Sequence, residues 1–315
     1  EAPRPPRAPF VETAEGAPVT QLQRGTRARR RRTAGSLQLG ELAAVNGRRG
    51  RGVLPLLGGG ALEAVTVEVD GEEALELISD EHVRLSRFEA DSVVSHVNRN
   101  AHKDWVGVDG DFAQLLRLCG EIFSASDGAF DPTVTSSASS AWQAVELDGQ
   151  RVRFLSPGLA LDFGAIAKGW ALDLARAALL DAGVSRGLLH GGTSSVMALG
   201  APPDQDGWGV SLGEGGAPRC LLKDSALGVS ARHGEAGGQD HVLDPRSGSP
   251  AGEVEIAAVI AESAAWADGW STAMVVRGES LAQRNGLKTT FLPSGEALDC
   301  GDAWRMDEAG PFYLS

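Results

Sequence analysis

The chain has 315 residues, 42% of them hydrophobic, and a formal charge of −13. That is too much apolar matter for a disordered polymer. No run approaches the roughly 18–20 apolar residues of a membrane-crossing helix, and an acidic body lacks the basic face that nucleic acid requires. Cys119, Cys220 and Cys300 stand far apart without CxxC or Cys/His spacing, which excludes a disulfide framework and a thiolate zinc site.

The charge is unevenly spread. The first 51 residues hold 11 Arg against four Glu, a surplus of about 7, which leaves about −20 on the remaining 264. Pro3, Pro5, Pro6 and Pro9 precede the run Arg29 to Arg32, and hydrophobic periodicity is scarce before Leu54. Residues 1–60 therefore read as a basic leader or flexible arm and 61–315 as the folded domain. A weaker reading, an export signal, would need Leu37, Leu39, Leu42 and Val53 to Leu57 to act together, and Glu41, Arg48, Arg49 and Arg51 interrupt them.

From Ala61 the texture becomes alternating, and Ala64 to Val69 predicts a strand ending at Asp70-Gly71. Helical spacing follows in Glu72 to Phe88 and again in Asp109 to Ser126. Short strands are expected at Arg151 to Phe154 and Ala160 to Phe163, then a helix over 165–182 closed by Gly183. A strand-rich stretch covers 187–261, a helix 263–276, and strands are expected at 289–292 and 312–314. The order is mixed α/β (α+β) rather than a regular βαβ alternation.

Five clusters carry more glycine and polar side chains than connections require. Ser126 to Thr133 puts Gly128 and an Asp131-Pro132 step after a helix, which also suits an ordinary turn. Leu161 to Trp170 runs a strand through Gly164 into a helix with an early Lys168, an arrangement that places free N–H groups and a cation before an anion; a tight connection with a solvated lysine fits it equally. The spacing is not that of a P-loop. His190-Gly191-Gly192-Thr193-Ser194-Ser195 is unspecific alone, its glycines allowing close backbone approach.

His241 to Pro250 sets His241, Asp244 and Arg246 around one turn, where a histidine beside a carboxylate can carry a proton near neutral pH. In Ala265 to Ala273, Asp268 and Thr272 lie at i, i+4 on one helical face. A carboxylate and a hydroxyl so placed can share one hard cation, although an isolated pair of this kind is more often a hydrogen bond on a helix surface.

Taken in order, Ser86-Arg87-Phe88 with Asp91-Ser92 and Asn98, then 126–134, 162–173, Gly191-Gly192, 241–250 and Asp268 with Thr272 resemble the ApbE family, the FAD:protein FMN transferases. The resemblance implies a T-fold-like architecture of mixed sheets with packed helices. It also implies transfer of FMN from FAD to a Thr or Ser hydroxyl of an acceptor protein, with Mg²⁺ as cofactor and AMP as the leaving product. By position, Asp268 and Thr272 match the metal ligands, joined by Ala165. Phe88, Ala129, Phe130, Asp131, Asp162, Lys168 and Val242 match flavin-nucleotide contacts, and His241, with Asp268, falls among the catalytic positions. An extracytoplasmic location, periplasmic or membrane-associated, is implied as well, although no cysteine for a lipid anchor precedes Cys119. Family members open on a Gly/Met/Thr-rich strand, where this chain offers Leu57-Gly58-Gly59-Gly60.

Two alternatives stand beside transfer. Water as acceptor would make the same site a Mg²⁺-dependent FAD pyrophosphatase releasing FMN and AMP. A non-catalytic FAD-binding protein would have no use for a proton carrier. A conventional flavin oxidoreductase lacks its GxGxxG fingerprint here.

Overall fold

The computed structural model describes residues 50–54, 63–67, 72–134, 142–192, 194–212, 219–232, 242–252, 254–285 and 288–293. In chain order these form β1 (Gly50–Leu54), β2 (Glu63–Val67), α1 (Glu72–Leu85), α2 (Val93–Asn100), β3 (Val106–Gly107), α3 (Gly110–Ala125), β4 (Val145–Asp148), β5 (Arg151–Phe154) and α4 (Ala167–Asp181). There follow β6 (Gly187–His190), β7 (Ser195–Leu199), β8 (Trp208–Ser211), β9 (Arg219–Leu222), β10 (Ala226–Ala231), β11 (Leu243–Asp244), β12 (Ser249–Pro250), β13 (Val254–Ala261), α5 (Ala264–Arg277), α6 (Glu279–Asn285) and β14 (Lys288–Pro293).

The main sheet is antiparallel at every pairing, in the order β1-β2-β6-β7-β10-β13-β14. Its central strands are buried on both faces, and their side chains alternate between two clusters as strand geometry requires. Leu189, Met197, Leu199 and Ala226 meet Ala171, Leu172 and Ala175 of α4 and Ala264 and Ala267 of α5. Leu188, Val196, Ala198 and Leu227 meet Trp208, Val210, Cys220 and Leu222 of the β8–β9 hairpin on the opposite face. A second core gathers α2, α3 and the three-stranded sheet β3-β5-β4 with one side of α5, including Phe112, Phe130, Phe163 and Trp270.

Close packing around α5 depends on missing side chains. A Cβ on Gly169 of α4 would lie 2.6 Å from the Ala265 nitrogen, and one on Gly228 of β10 would lie 2.6 Å from the Asp268 nitrogen. Two glycines thus let a helix and a strand approach the backbone of α5 from different sides.

The sequence expectations hold for α1, α3, α4 and α5, leave out α2 and α6, and differ at two strands. The sheet begins at Gly50, inside the segment 1–60 expected to be an arm, because β1 joins through its backbone in register with β2 from Gly50↔Val67 to Leu54↔Glu63. Ala160 to Phe163 belongs to no ladder. Its polar backbone is satisfied by the side chain of Asn98, which accepts from Leu161 N at 2.8 Å and donates to Leu161 O at 2.9 Å, and by Asp162 N donating to Pro132 O at 2.7 Å. The expected strand at 312–314 lies outside the described residues. Among the described residues no helix is long and apolar enough to cross a membrane.

Candidate active site at the start of two helices

The turn 164–166 delivers the chain into α4 with Ile166 at the N-cap, a residue that supplies no capping side chain. The cap comes instead from a distant helix, since the Gly169 amide donates to Asp268 Oδ2 at 2.7 Å. One residue earlier, Lys168 Nζ donates to Ser194 Oγ in the β6–β7 connection. Lys168, Ala167 and Gly191 line a cleft together with Ile78 and His82 of α1.

Asp268 is 5% exposed. Its carboxylate also accepts from Ser195 Oγ at 2.8 and 2.9 Å. Burial pushes its pKa up to about 7, against the charge of Lys168 and the hydrogen bonds from Ser195 and Gly169. One turn on, Thr272 Oγ1 donates to the Asp268 carbonyl at 3.3 Å and lies 3.0 Å from Ser230 Oγ of β10; Ser230 Oγ is itself 2.7 Å from Ser271 Oγ. The helix-surface hydrogen bond is therefore present, but on a buried helix beside a buried carboxylate.

A second group forms around Arg87, whose Nε pairs with Asp162 Oδ2 at 2.9 Å while its guanidinium lies 4.5 Å from the centre of the Phe88 ring. Phe88 is 71% exposed, a large apolar ring held at the surface by this stacking. Asp162 Oδ1 also accepts from Gly164 N at 3.0 Å, which ties this group to the turn holding Ala165. The Ser126–Thr133 segment is a tight turn with Asp127 and Gly128 at positive φ, and Asp131 Oδ1 accepts from Thr133 N and Oγ1 at 2.8 and 2.6 Å. Ala129 and Phe130 are buried, with Phe130 Cε2 3.6 Å from the place a Cβ on Gly269 would occupy, next to Asp268.

The structure thus brings Lys168 near Asp268, whose carboxylate bonds the Gly169 amide, links Phe88 to Asp162 through Arg87, and sets Phe130 against the α5 segment beside Asp268. Val242 is buried in the second core, the cluster that also holds Ala129 and Phe130, its carbonyl accepting from Ala251 N at 2.8 Å. His241 lies outside the described residues. Sequence reasoning passed over Ser195, Ser194, Arg87 and Asp173. The serines stood in a Gly/Ser cluster too generic to interpret, and Arg87 and Asp173 fell inside stretches that carry the family resemblance without being assigned a role.

Among the described residues no group of three His, Cys, Asp or Glu side chains could hold a metal ion. The donors that are present are hard oxygens: the Asp268 carboxylate, the Thr272 hydroxyl and the backbone carbonyl of Ala165, in an exposed turn just before α4. This set suits magnesium, which takes few protein ligands and keeps waters or phosphate oxygens for the rest. A buried carboxylate facing one lysine and two neutral donors also has room for more positive charge.

An α/β protein in which a lysine and a helix N-terminus border one cleft, with a buried carboxylate bonded to the first turn of that helix, is suited to handling a phosphorylated ligand. The chain belongs to the ApbE family, whose model matches residues 61–144 and 135–290. Its curated relatives include a FAD:protein FMN transferase of Rhodobacter capsulatus, 31% identical over 210 residues, which covers 55% of this chain and 39% of that protein. Another, from Chlamydia trachomatis serovar D, is 27% identical over 243 residues, covering 66% and 71%. The match to the Rhodobacter relative therefore spans about two fifths of that protein's length. Among solved structures, the ApbE protein of Thermotoga maritima superposes with a TM-score of 0.67 at 25% identity, covering 79% of this chain and 95% of that one. The apo flavinyl transferase ApbE of Pseudomonas stutzeri gives 0.66 at 25%, covering 77% and 90%.

Proposed function

We propose that this protein transfers FMN from FAD to a Thr or Ser hydroxyl of an acceptor protein, with Mg²⁺ at Asp268. The observation that carries the reading is the meeting of Lys168, the α4 N-terminus and the buried Asp268 at one place, within the segment matched by the family.

Asp268, Thr272 and the Ala165 carbonyl would hold the ion, which when bound supplies charge neutralisation at the pyrophosphate. Lys168 adds a fixed cation, oriented by Ser194, and the first turn of α4 adds N–H groups and its dipole. In the reaction the acceptor oxygen forms a bond to the FMN-side phosphorus as the bond from that phosphorus to the AMP oxygen breaks. The hydroxyl proton passes to a base, for which His241 is our candidate. Phe88, Asp162, Ala129 to Asp131 and Val242 are carried as flavin-nucleotide contacts. Of these, Phe88 and Asp162 are the best placed, since Arg87 already brings an exposed ring and a carboxylate together.

The test is incubation of purified protein with FAD and Mg²⁺, with and without a candidate acceptor, followed by nucleotide chromatography and intact mass. AMP release with an FMN-sized mass gain on the acceptor supports transfer. AMP with free FMN and no adduct would mean a pyrophosphatase, and unchanged FAD would leave a binding protein.

A further inference from the structure

α4 and α5 exchange carboxylates across their N-terminal turns. In one direction Asp268 of α5 accepts the Gly169 amide of α4 at 2.7 Å. In the other, Asp173 of α4 accepts from Ser263 Oγ at 2.6 Å, Ala264 N at 2.8 Å and Ala265 N at 3.0 Å, all at the start of α5. Ser263 Oγ in turn accepts from Trp266 N at 3.1 Å, so two side chains take up the first three amides of α5.

Capping alone does not require Asp173. Ser263 has extended N-cap geometry, with φ −106° and ψ 133°, and bonds the N3 amide as a capping serine does. Asp173 is also costly where it stands, because burial raises its pKa and its charge in turn pushes up that of Asp268. What it adds is register. The Gly169–Asp268 bond fixes α5 at the first turn of α4, and Asp173, one turn further along α4, fixes the beginning of α5. A slide or rotation of α5 that carried Asp268 away from Gly169 and Lys168 would have to break the three bonds at Asp173. The glycine contact between the helices permits the approach but offers no direction, whereas hydrogen bonds do.

We infer that Asp173 is a positioning residue, which clamps the N-terminus of α5 to α4 and so holds the Asp268 carboxylate at the orientation in which it binds the metal ion. The inference rests on the assignment of Asp268 to that ion.

The experiment is a titration of the full chain with Mn²⁺, the paramagnetic probe of a magnesium site, reading free Mn²⁺ by electron paramagnetic resonance, with thermal unfolding of the metal-free protein in parallel. Asp173→Asn is expected to raise the Kd for Mn²⁺ by about 10-fold or more, the scale of losses for residues that orient a ligand, in protein that still unfolds cooperatively. Ser263→Ala, which removes one of the three bonds, gives a smaller rise in the same direction. A lowered Tm with Kd within about twofold of wild type would mean that Asp173 only stabilises the fold, and the inference is overturned. Should Asp173→Asn fail to fold, Ser263→Ala decides alone, an unchanged Kd counting against the clamp. Asp268→Ala completes the set. Loss of Mn²⁺ binding in it alone leaves the metal assignment standing while the clamp falls, and undiminished binding in it brings down both.

Discussion

Replacing Gly169 with alanine sets two effects of opposite sign against each other. Within a helix the substitution is favourable by about 1 kcal/mol, because glycine is the costlier residue to order. Here the added Cβ would stand 2.6 Å from the Ala265 nitrogen and closer still to the Ala264 carbonyl, against an ordinary contact of 3.4–4 Å. The obstacles are backbone atoms, so the helices must separate by about 1 Å, and overpacking of this kind costs roughly 1–3 kcal/mol. The same movement stretches the 2.7 Å bond from Gly169 N to Asp268 beyond hydrogen-bonding range, removing about 1.5–3 kcal/mol for a bond to a charged acceptor. Destabilisation therefore wins by about 1.5–5 kcal/mol. Urea unfolding followed by tryptophan fluorescence would read it as a lower midpoint at unchanged slope. Stabilisation by about 1 kcal/mol would refute the reasoning, because it would mean that α4 and α5 are not in backbone contact at this point.

The remaining predictions concern charge and chemistry. Asp268→Ala should abolish Mg²⁺-dependent AMP release from FAD while leaving a folded chain, and turnover near wild type without added metal would contradict the ligand set. Ser195→Ala should leave the Asp268 carboxylate one donor short and destabilise by about 1.5–3 kcal/mol, with a higher Mg²⁺ requirement; an isoenergetic variant would show that the 2.8 Å bond contributes nothing. His190 is held neutral by burial, which brings its pKa down to about 4 from 6.5. The unfolded chain then takes up a proton that the native state refuses, so stability is lost as pH falls from about 6.5 towards 4, by at most about 3 kcal/mol. His190→Gln should flatten that part of the stability–pH curve in equilibrium unfolding, and an unchanged slope would exclude His190 as its source. His241→Ala should impair transfer more than FAD binding, and a large loss of affinity at unchanged turnover would remove its assigned part in proton transfer.

Periodicity located the long helices well, because α1 and α3 each turn one apolar face to the core and α4 announces its end at Gly183. It passed over α2, eight residues begun by a capping Ser92, and it turned 160–163, with Leu161 and Phe163 buried, into a strand, since alternating burial reports packing and not pairing. The strand β1 was invisible for the converse reason: Gly50 to Leu54 joins the sheet through backbone groups, without an alternating pattern. Within the site, residues bearing their chemistry locally could be read, such as Lys168 early in a helix and Asp268 with Thr272 one turn apart. Ser195 and Asp173 could not, because their partners lie 73 and 90 or more residues away and their residue types are common in any chain.

The element that carries the site could be read as a helix but not for what it packs against. α5 is buried almost all round, so its sequence shows no apolar stripe against a polar face and offers no hydrophobic direction. In such a helix a buried carboxylate or hydroxyl calls for a partner from another element, because burial without one is costly; the Trp270 indole N–H, which has none, is the exception on α5. Asp268 is met by α4 and β7, Ser271 and Thr272 by β10, and the N-terminus by Asp173 of α4. Alanines along α5, with Gly169 and Gly228 opposite, bring these partners within reach by allowing backbone approach that larger side chains would block. The small residues and the polar ones are therefore two halves of one arrangement. If that is right, Gly228→Ala should damage the Ser230–Thr272 pairing as Gly169→Ala damages the Gly169–Asp268 bond, since a Cβ there would stand 2.6 Å from the Asp268 nitrogen. The double variant Gly228→Ala/Thr272→Val tests this: the two losses of stability should sum to more than the measured total, because the second change removes a bond the first has already strained. Strict additivity within about 0.3 kcal/mol would show that the glycine and the hydroxyl act independently.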